Sequence, residues 1–246
     1  MTRYDIDKNH SRLGFTAKHM MFTTVRGHFA DYDGYAEVEA ALRFWQQVLK
    51  GEEGEWEGRR YRLPHLAAPV KVYLAVSQPR MCALAGRLAD GAIVMGPSTA
   101  AFVGRQVGWI EAGIRDAGRE RGEVDICLLT TVSDKVEDVR SWASTEARLI
   151  ADFAELPAGL ERFAEEIRRA KEEYDFSQHL SVHAGHSGAV SDELARALAV
   201  AGSPEECAAR LRELLAQGAD GFIFPLPGGG RLERLGFLRD QVLAGL

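Results

Sequence analysis

Four short apolar runs in the last 177 residues limit what this chain can fold into. They are VKVYLAV (70–76), GAIVMG (91–96), ICLLTTVS (126–133) and GFIFPLP (221–227). None alternates apolar with polar residues, the pattern of strands covered on both faces. Segments of helical character separate them. Residues 79–89 open on Pro79 and stop before Asp90-Gly91, and residues 98–118 run to Gly118. Two helices are expected over 134–154 and 157–174, broken at Pro157. After a loop, QHLSVHAGHSG (178–188), helices are expected over 191–201 and 203–218. The second has Ser203 as N-cap, Pro204 in the first position and Glu206 to complete a capping box. A loop at 228–231 and a terminal helix follow. Strands that alternate with helices must pair in parallel through right-handed crossovers. Four such βα units make half of an eight-stranded barrel or a small open sheet.

The earlier part of the chain reads differently. Residues 4–35 are rich in β-branched and aromatic residues, with Gly27 and Gly34 as breakers, and imply two strands. From residue 37 to 50, Val38, Leu42, Trp45 and Leu49 fall on one helical stripe that Gly51 ends. GEWEGRRYRLP (54–64) has the composition of a hairpin turning at Gly58. The expected organisation is a short β segment, 1–36, followed by an α/β half-barrel domain, 37–246.

Composition narrows the function classes. A chain of 246 residues buries roughly 70–75% of its unfolded surface and needs no disulfide or metal to form a core. The net charge is −6, and Lys and Arg are interspersed with Asp and Glu, which argues against a nucleic-acid partner. Cys82, Cys127 and Cys207 form no CxxC pair and fit reduced thiols. With no run of 18 apolar residues, no membrane span is expected, and the start of the chain has no apolar stretch of signal-peptide length. A cytoplasmic protein is the expectation.

PVKVYLAVSQPRMCALAGRLADGAIVMGP (69–97) resembles the second half of the luciferase-like monooxygenases and their deazaflavin-dependent reductase relatives. There a strand ending Ala-x-Ser/Gly-x-Pro leads into a helix carrying Leu-Ala-Gly-x-x-Ala-Asp-Gly. The matching residues are Ala75, Ser77 and Pro79, then Leu84, Ala85, Gly86, Ala89, Asp90 and Gly91. The resemblance runs in order through residues 43–246. The first 34 residues resemble instead the opening of the YceI-like polyisoprenoid-binding family, through Tyr4, Ile6, Asp7, His10, Ser11, Phe15, His19, Met20, Val25, Gly27 and Phe29. That family is a lipocalin-like barrel, and one strand pair of it encloses no ligand.

The luciferase-like resemblance implies a partial TIM-type barrel that binds FMN or the deazaflavin coenzyme F420 and acts on a small organic substrate. In such barrels the site lies at the C-terminal ends of the strands. The candidate cofactor-phosphate contacts are therefore Ser77 and Gln78, then Gly96, Pro97 and Ser98, then Gly228, Gly229, Gly230 and Arg231. Helix N-termini favour anions, glycines admit close backbone approach, and an arginine pairs with phosphate. Ordinary βα turns carry the same residue types. The resemblance also implies that much of the ring pocket and the usual acid–base groups belong to strands this chain lacks, so no catalytic residue is assigned. His179, His183 and His186 have a suggestive spacing, but Gly185 and Gly188 put them in a loop, and no metal site is expected. A homodimer that completes or covers the half-barrel is the expected assembly. A fusion product without turnover and an isoprenoid-binding module are the alternatives.

Overall fold

The computed structural model of the chain describes residues 35–63, 66, 68–175, 188–226 and 230–246, together with the backbone of 14–19 and 23–28. In chain order the elements are β1 (Gly14–His19), β2 (Thr23–His28), α1 (Tyr35–Val48), β3 (Gly54–Trp56), β4 (Arg59–Tyr61), β5 (Tyr73–Val76), α2 (Pro79–Leu88), β6 (Gly91–Val94), α3 (Ala100–Asp116), β7 (Asp125–Leu129), β8 (Val132–Ser133), α4 (Val136–Ile150), α5 (Ala164–Glu172), α6 (Asp192–Leu198), β9 (Val200–Ala201), α7 (Pro204–Leu215), β10 (Gly221–Ile223) and α8 (Arg231–Phe237).

Strands β5, β6, β7 and β10 form one sheet in the order β10-β7-β6-β5. β10 lies parallel to β7, with Gly221 beside Cys127 and Ile223 beside Leu129. Bonds from Asp90 N–H to Val72 O and from Met95 N–H to Val76 O set β6 parallel to β5. The fold is thus α/β with a parallel four-stranded sheet, as expected of half an eight-stranded barrel. β1 and β2 form an antiparallel pair, as do β3 and β4.

Three expectations need correction. The run 126–133 is not one strand: β7 ends at Leu129, and Val132–Ser133 pairs in parallel with Val200–Ala201. The helix expected over 191–201 stops at Leu198, because Val200 and Ala201 are taken into that pair. The sheet is also not buried on both faces. Val76, Val94, Ile126 and Leu128 are buried, whereas Ala75, Ile93, Met95, Cys127, Leu129 and Ile223 on the other face are half-buried or exposed.

The chain packs as two units. The first comprises residues 1–74, 79–92 and 110–124. In it, the hairpin β3-β4 turns through Glu57 and Gly58, both at positive φ, as two-residue hairpin turns require. It packs on α1 through Phe44, whose ring centroid lies 5.6 Å from those of Trp56 and Tyr61. α2 crosses the end of α3 at two glycines. A Cβ on Gly86 would lie 2.0 Å from Ile110 O, and one on Gly113 would lie 2.1 Å from Ala83 O. Arg119 then caps α2, donating to Gly86 O at 2.9 Å and Ala89 O at 2.8 Å.

The second unit comprises residues 75–78, 93–109 and 125–246. Its helical core is α4 packed with α5 and α6, through Val139, Trp142, Ile150, Ile167, Leu194 and Leu198. The capping box of α7 forms as expected: Ser203 Oγ accepts from Glu206 N–H, and Glu206 accepts from Ser203 N–H at 2.8 Å.

Candidate functional site at the strand ends

All four C-terminal strand ends belong to the second unit, and buried hydrogen bonds lace them together. Ser77 and Gln78 follow β5 and precede Pro79, the first residue of α2. Ser77 is half-buried and Gln78 exposed. Behind them lies Gln106 of α3, fully buried, which donates from Nε2 to Ser77 O at 2.8 Å. Gln106 is not among the residues expected at the site from sequence. Its signal was a polar residue on an otherwise apolar stripe with Phe102, Val103, Val107 and Ile110.

The loop after β6 is closed rather than open. Gly96, Pro97 and Ser98 are all buried. Gly96 has φ +139°, and a Cβ there would lie 2.2 Å from the Phe102 ring, so the chain turns tightly over that side chain. Ser98 N–H donates to Leu198 O at 3.0 Å, and its Oγ lies 2.6 Å from Thr130 Oγ1. Both hydroxyls have no solvent exposure. Ser98 therefore joins the loop after β6 to the loop after β7. Thr99 takes the N-cap place of α3, its Oγ1 accepting from Phe102 N–H at 3.2 Å.

Thr130 and Thr131 extend this lacing across the sheet. Thr130 N–H donates to Ile223 O at 3.1 Å, and Thr131 Oγ1 to Pro225 O at 3.4 Å. Neither threonine was singled out from sequence. Beyond β10, Gly228 and Gly229 lie outside the described residues. Gly230 is exposed at φ +65° and is the N-cap of α8, and Arg231 is exposed in its first turn. The nearest atom to a Cβ on Gly230 is Glu233 Oε2 at 3.9 Å, so the space around its backbone is open. Of the predicted contacts, Ser77, Gln78, Gly230 and Arg231 are accessible, and Gly96, Pro97 and Ser98 are enclosed.

Cys127 sits on the less covered sheet face, and burial, followed by Asp125 and Asp220, raises its thiol pKa. Burial pushes Cys82 up to about 12 and Cys207 up to about 11, so both are protonated at neutral pH. Among the described residues no group of three His, Cys, Asp or Glu could hold a metal, and His179, His183 and His186 lie outside them. Among the described residues no helix is long and apolar enough to cross a membrane.

A parallel α/β sheet with its polar lacing at the C-terminal strand ends defines a barrel-type class whose sites lie at that rim. Residues 20–221 match the luciferase-like monooxygenase family, and the chain belongs to it. The match reaches into the segment that resembles the polyisoprenoid-binding family, and that second resemblance gains no support. The chain is 27% identical over 222 residues to the F420-dependent glucose-6-phosphate dehydrogenase of Nakamurella multipartita, covering 85% of this chain and 59% of that protein. It is 28% identical over 179 residues to the 5,10-methylenetetrahydromethanopterin reductase of Methanolobus tindarius, covering 68% and 52%. The solved coenzyme F420-dependent tetrahydromethanopterin reductase of Methanopyrus kandleri shares the fold, with a TM-score of 0.55 and 21% identity over 85% of this chain and 62% of that one. This chain thus spans between half and three-fifths of the length of the two relatives.

Proposed function

We propose that this chain is a flavin- or deazaflavin-dependent oxidoreductase that holds the phosphate of FMN or coenzyme F420 at the rim formed by its strand ends. The observation that carries this reading is the Ser77–Gln78 loop: accessible, at the C-terminal end of a parallel strand, and held from behind by buried Gln106. Two of the relatives are F420-dependent by name, which supports the same cofactor class. The residues present fit a phosphate. Ser77 offers a hydroxyl donor, Gln78 and Gly230 offer backbone that can be closely approached, and Arg231 offers a cation. Gly96, Pro97 and Ser98 shape the rim from inside. When bound, such a cofactor supplies the two-electron chemistry, and the chain's task is to bind and orient it. The substrate is a small organic molecule.

The partly covered sheet face carries Ala75, Ile93, Met95 and Ile223. β5 and β10 are the two edges of this sheet, and paired strands leave no such edges exposed. We propose that a second copy covers this face and edge, and light scattering of the purified chain tests it: a monomer at all concentrations overturns the dimer. The cofactor reading is tested by titrating the protein with FMN and with F420 and following absorbance and fluorescence. Saturable perturbation by either supports it, and no binding of either at hundredfold excess overturns it.

A further inference from the structure

We propose that Gln106 is the positioning residue of the cofactor loop: its buried amide fixes the Ser77–Gln78 peptide so that the Gln78 N–H is aimed outward as a donor for the cofactor phosphate. The inference rests on the cofactor reading above and adds to it the group that organises the site. Ser77 C=O and Gln78 N–H belong to one planar trans peptide and point in opposite directions. Gln106 Nε2 holds the carbonyl at 2.8 Å, on the side of α3. The N–H of the same peptide therefore faces away from α3. Gln78 is exposed, and among the described residues no acceptor takes its N–H. A backbone donor fixed in advance binds an anion without the entropic cost of ordering a loop.

Gln106 is suited to this holding. It is fully buried, so water does not compete for the Ser77 carbonyl. Its stripe neighbours Phe102, Val103, Val107 and Ile110 are buried and fix the helix that carries it. A carboxamide offers a donor without charge, whereas a carboxylate at the same place would repel the carbonyl.

The test compares ligands with and without the phosphate, which in FMN and riboflavin is the sole difference and in the F420 pair goes with the tail it carries. FMN and riboflavin, and F420 and its phosphate-free deazaflavin chromophore, are titrated against wild type, Gln106→Met and Gln106→Glu, with thermal melts on each. Wild type is expected to favour the phosphate-bearing member of one pair at least tenfold. Gln106→Met should cut that preference about tenfold while binding of the phosphate-free member changes less than threefold. Gln106→Glu should keep the preference at low pH, where its protonated carboxyl donates to Ser77 O, and lose it towards pH 9.5, above the range to which burial raises such a carboxyl. Equal loss for both members of a pair, or an unchanged preference in Gln106→Met and Gln106→Glu, overturns the positioning role while leaving the cofactor reading intact. Wild type that does not discriminate either pair overturns the phosphate reading itself. If Gln106→Met does not fold, the pH profile of Gln106→Glu decides: a preference that does not change with pH overturns the proposal.

Discussion

The carboxylate of Asp90 accepts the Val72 N–H at 2.8 Å, while Asp90 donates its own N–H to Val72 O at 2.9 Å. Asp220 makes the same pair with Ile126, accepting its N–H and donating to its carbonyl, both at 2.7 Å. Each aspartate sits in an Ala-Asp-Gly tripeptide, 89–91 and 219–221, directly before a strand. Each ties the start of its strand to the start of the neighbouring one, and so sets the parallel register from which the strand ends are reached. Asp90→Ala and Asp220→Ala should each cost about 1–3 kcal/mol, because a strand N–H loses a charged acceptor. Asp→Asn at either place should cost less, since the amide oxygen still accepts. Urea unfolding followed by circular dichroism reads both, and a loss below ~0.5 kcal/mol for the alanine variants would remove the clamp from the account.

The Gly86–Gly113 crossing gives a harsher expectation. The Cβ of Gly86→Ala would fall 2.0 Å from a backbone oxygen, Ile110 O, where no rotamer change relieves it. α2 and α3 must then move apart, which also pulls Arg119 off the end of α2. A loss of about 3 kcal/mol or more is expected, in the range of overpacked cores. Gly108→Ala on the same α3, with open space around its Cβ, should stabilise by up to ~1 kcal/mol through helix propensity. Thermal melts of the two variants side by side make the comparison.

These positions show what the sequence made legible. The residues that carried the family resemblance, Gly86, Asp90 and Gly91, prove to be structural: a close helix crossing, a strand clamp, and a site where a Cβ would meet the Tyr73 ring at 2.2 Å. Fold was readable there because backbone approach and capping leave fixed residue types at fixed spacings. The parallel order was readable because apolar runs alternate with helices. The split of ICLLTTVS was not, because Thr130 and Thr131 suit a strand locally and only the long-range pairing of Val132 with Val200 redirects them. A half-barrel implies an uncovered face, but which strand residues lie on it was not legible. Apolar residues such as Met95 and Ile223 look the same in sequence whether or not anything covers them. At the site, the exposed residues Ser77 and Gln78 could be picked from their place before a helix. The enclosed partners Gln106 and Thr130 could not, since their roles depend on contacts 29 and 32 residues distant.

Ser98 and Thr130 should behave as a coupled pair. Their hydroxyls share one buried hydrogen bond of 2.6 Å; truncating Thr130 takes this partner from Ser98 Oγ, and truncating Ser98 leaves Thr130 Oγ1 with only its longer bond to Thr131 O at 3.4 Å. Ser98→Ala and Thr130→Val are each expected to cost about 1–2 kcal/mol, and the double variant clearly less than the sum. Additivity within ~0.3 kcal/mol would show that the bond carries no coupling. Cofactor affinity should fall further in Ser77→Ala than in Ser98→Ala, because Ser77 reaches the surface and Ser98 does not.

Glu146 provides a pH signature independent of any ligand. It lies on α4 one turn after Trp142, is 1% exposed, and its Oε2 has no hydrogen-bond partner. Burial pushes its carboxyl up to about 8 from an ordinary 4.5. In the folded chain the group is therefore protonated at neutral pH, whereas in the unfolded chain it ionises near 4.5. Between those values the unfolded state holds fewer protons than the native state. Stability from this site must therefore fall as the pH rises from about 4.5 to about 8, and level off above that. Glu146→Gln removes the ionisation, so its stability curve should be flatter across this window. It should match wild type near pH 4.5 and exceed it by on the order of 4 kcal/mol at pH 7.5. Chemical denaturation of both proteins from pH 4.5 to 8.5 measures the difference. A gap that stays constant with pH would mean that Glu146 is already ionised in the native helix cluster, and that α4, α5 and α6 tolerate the charge.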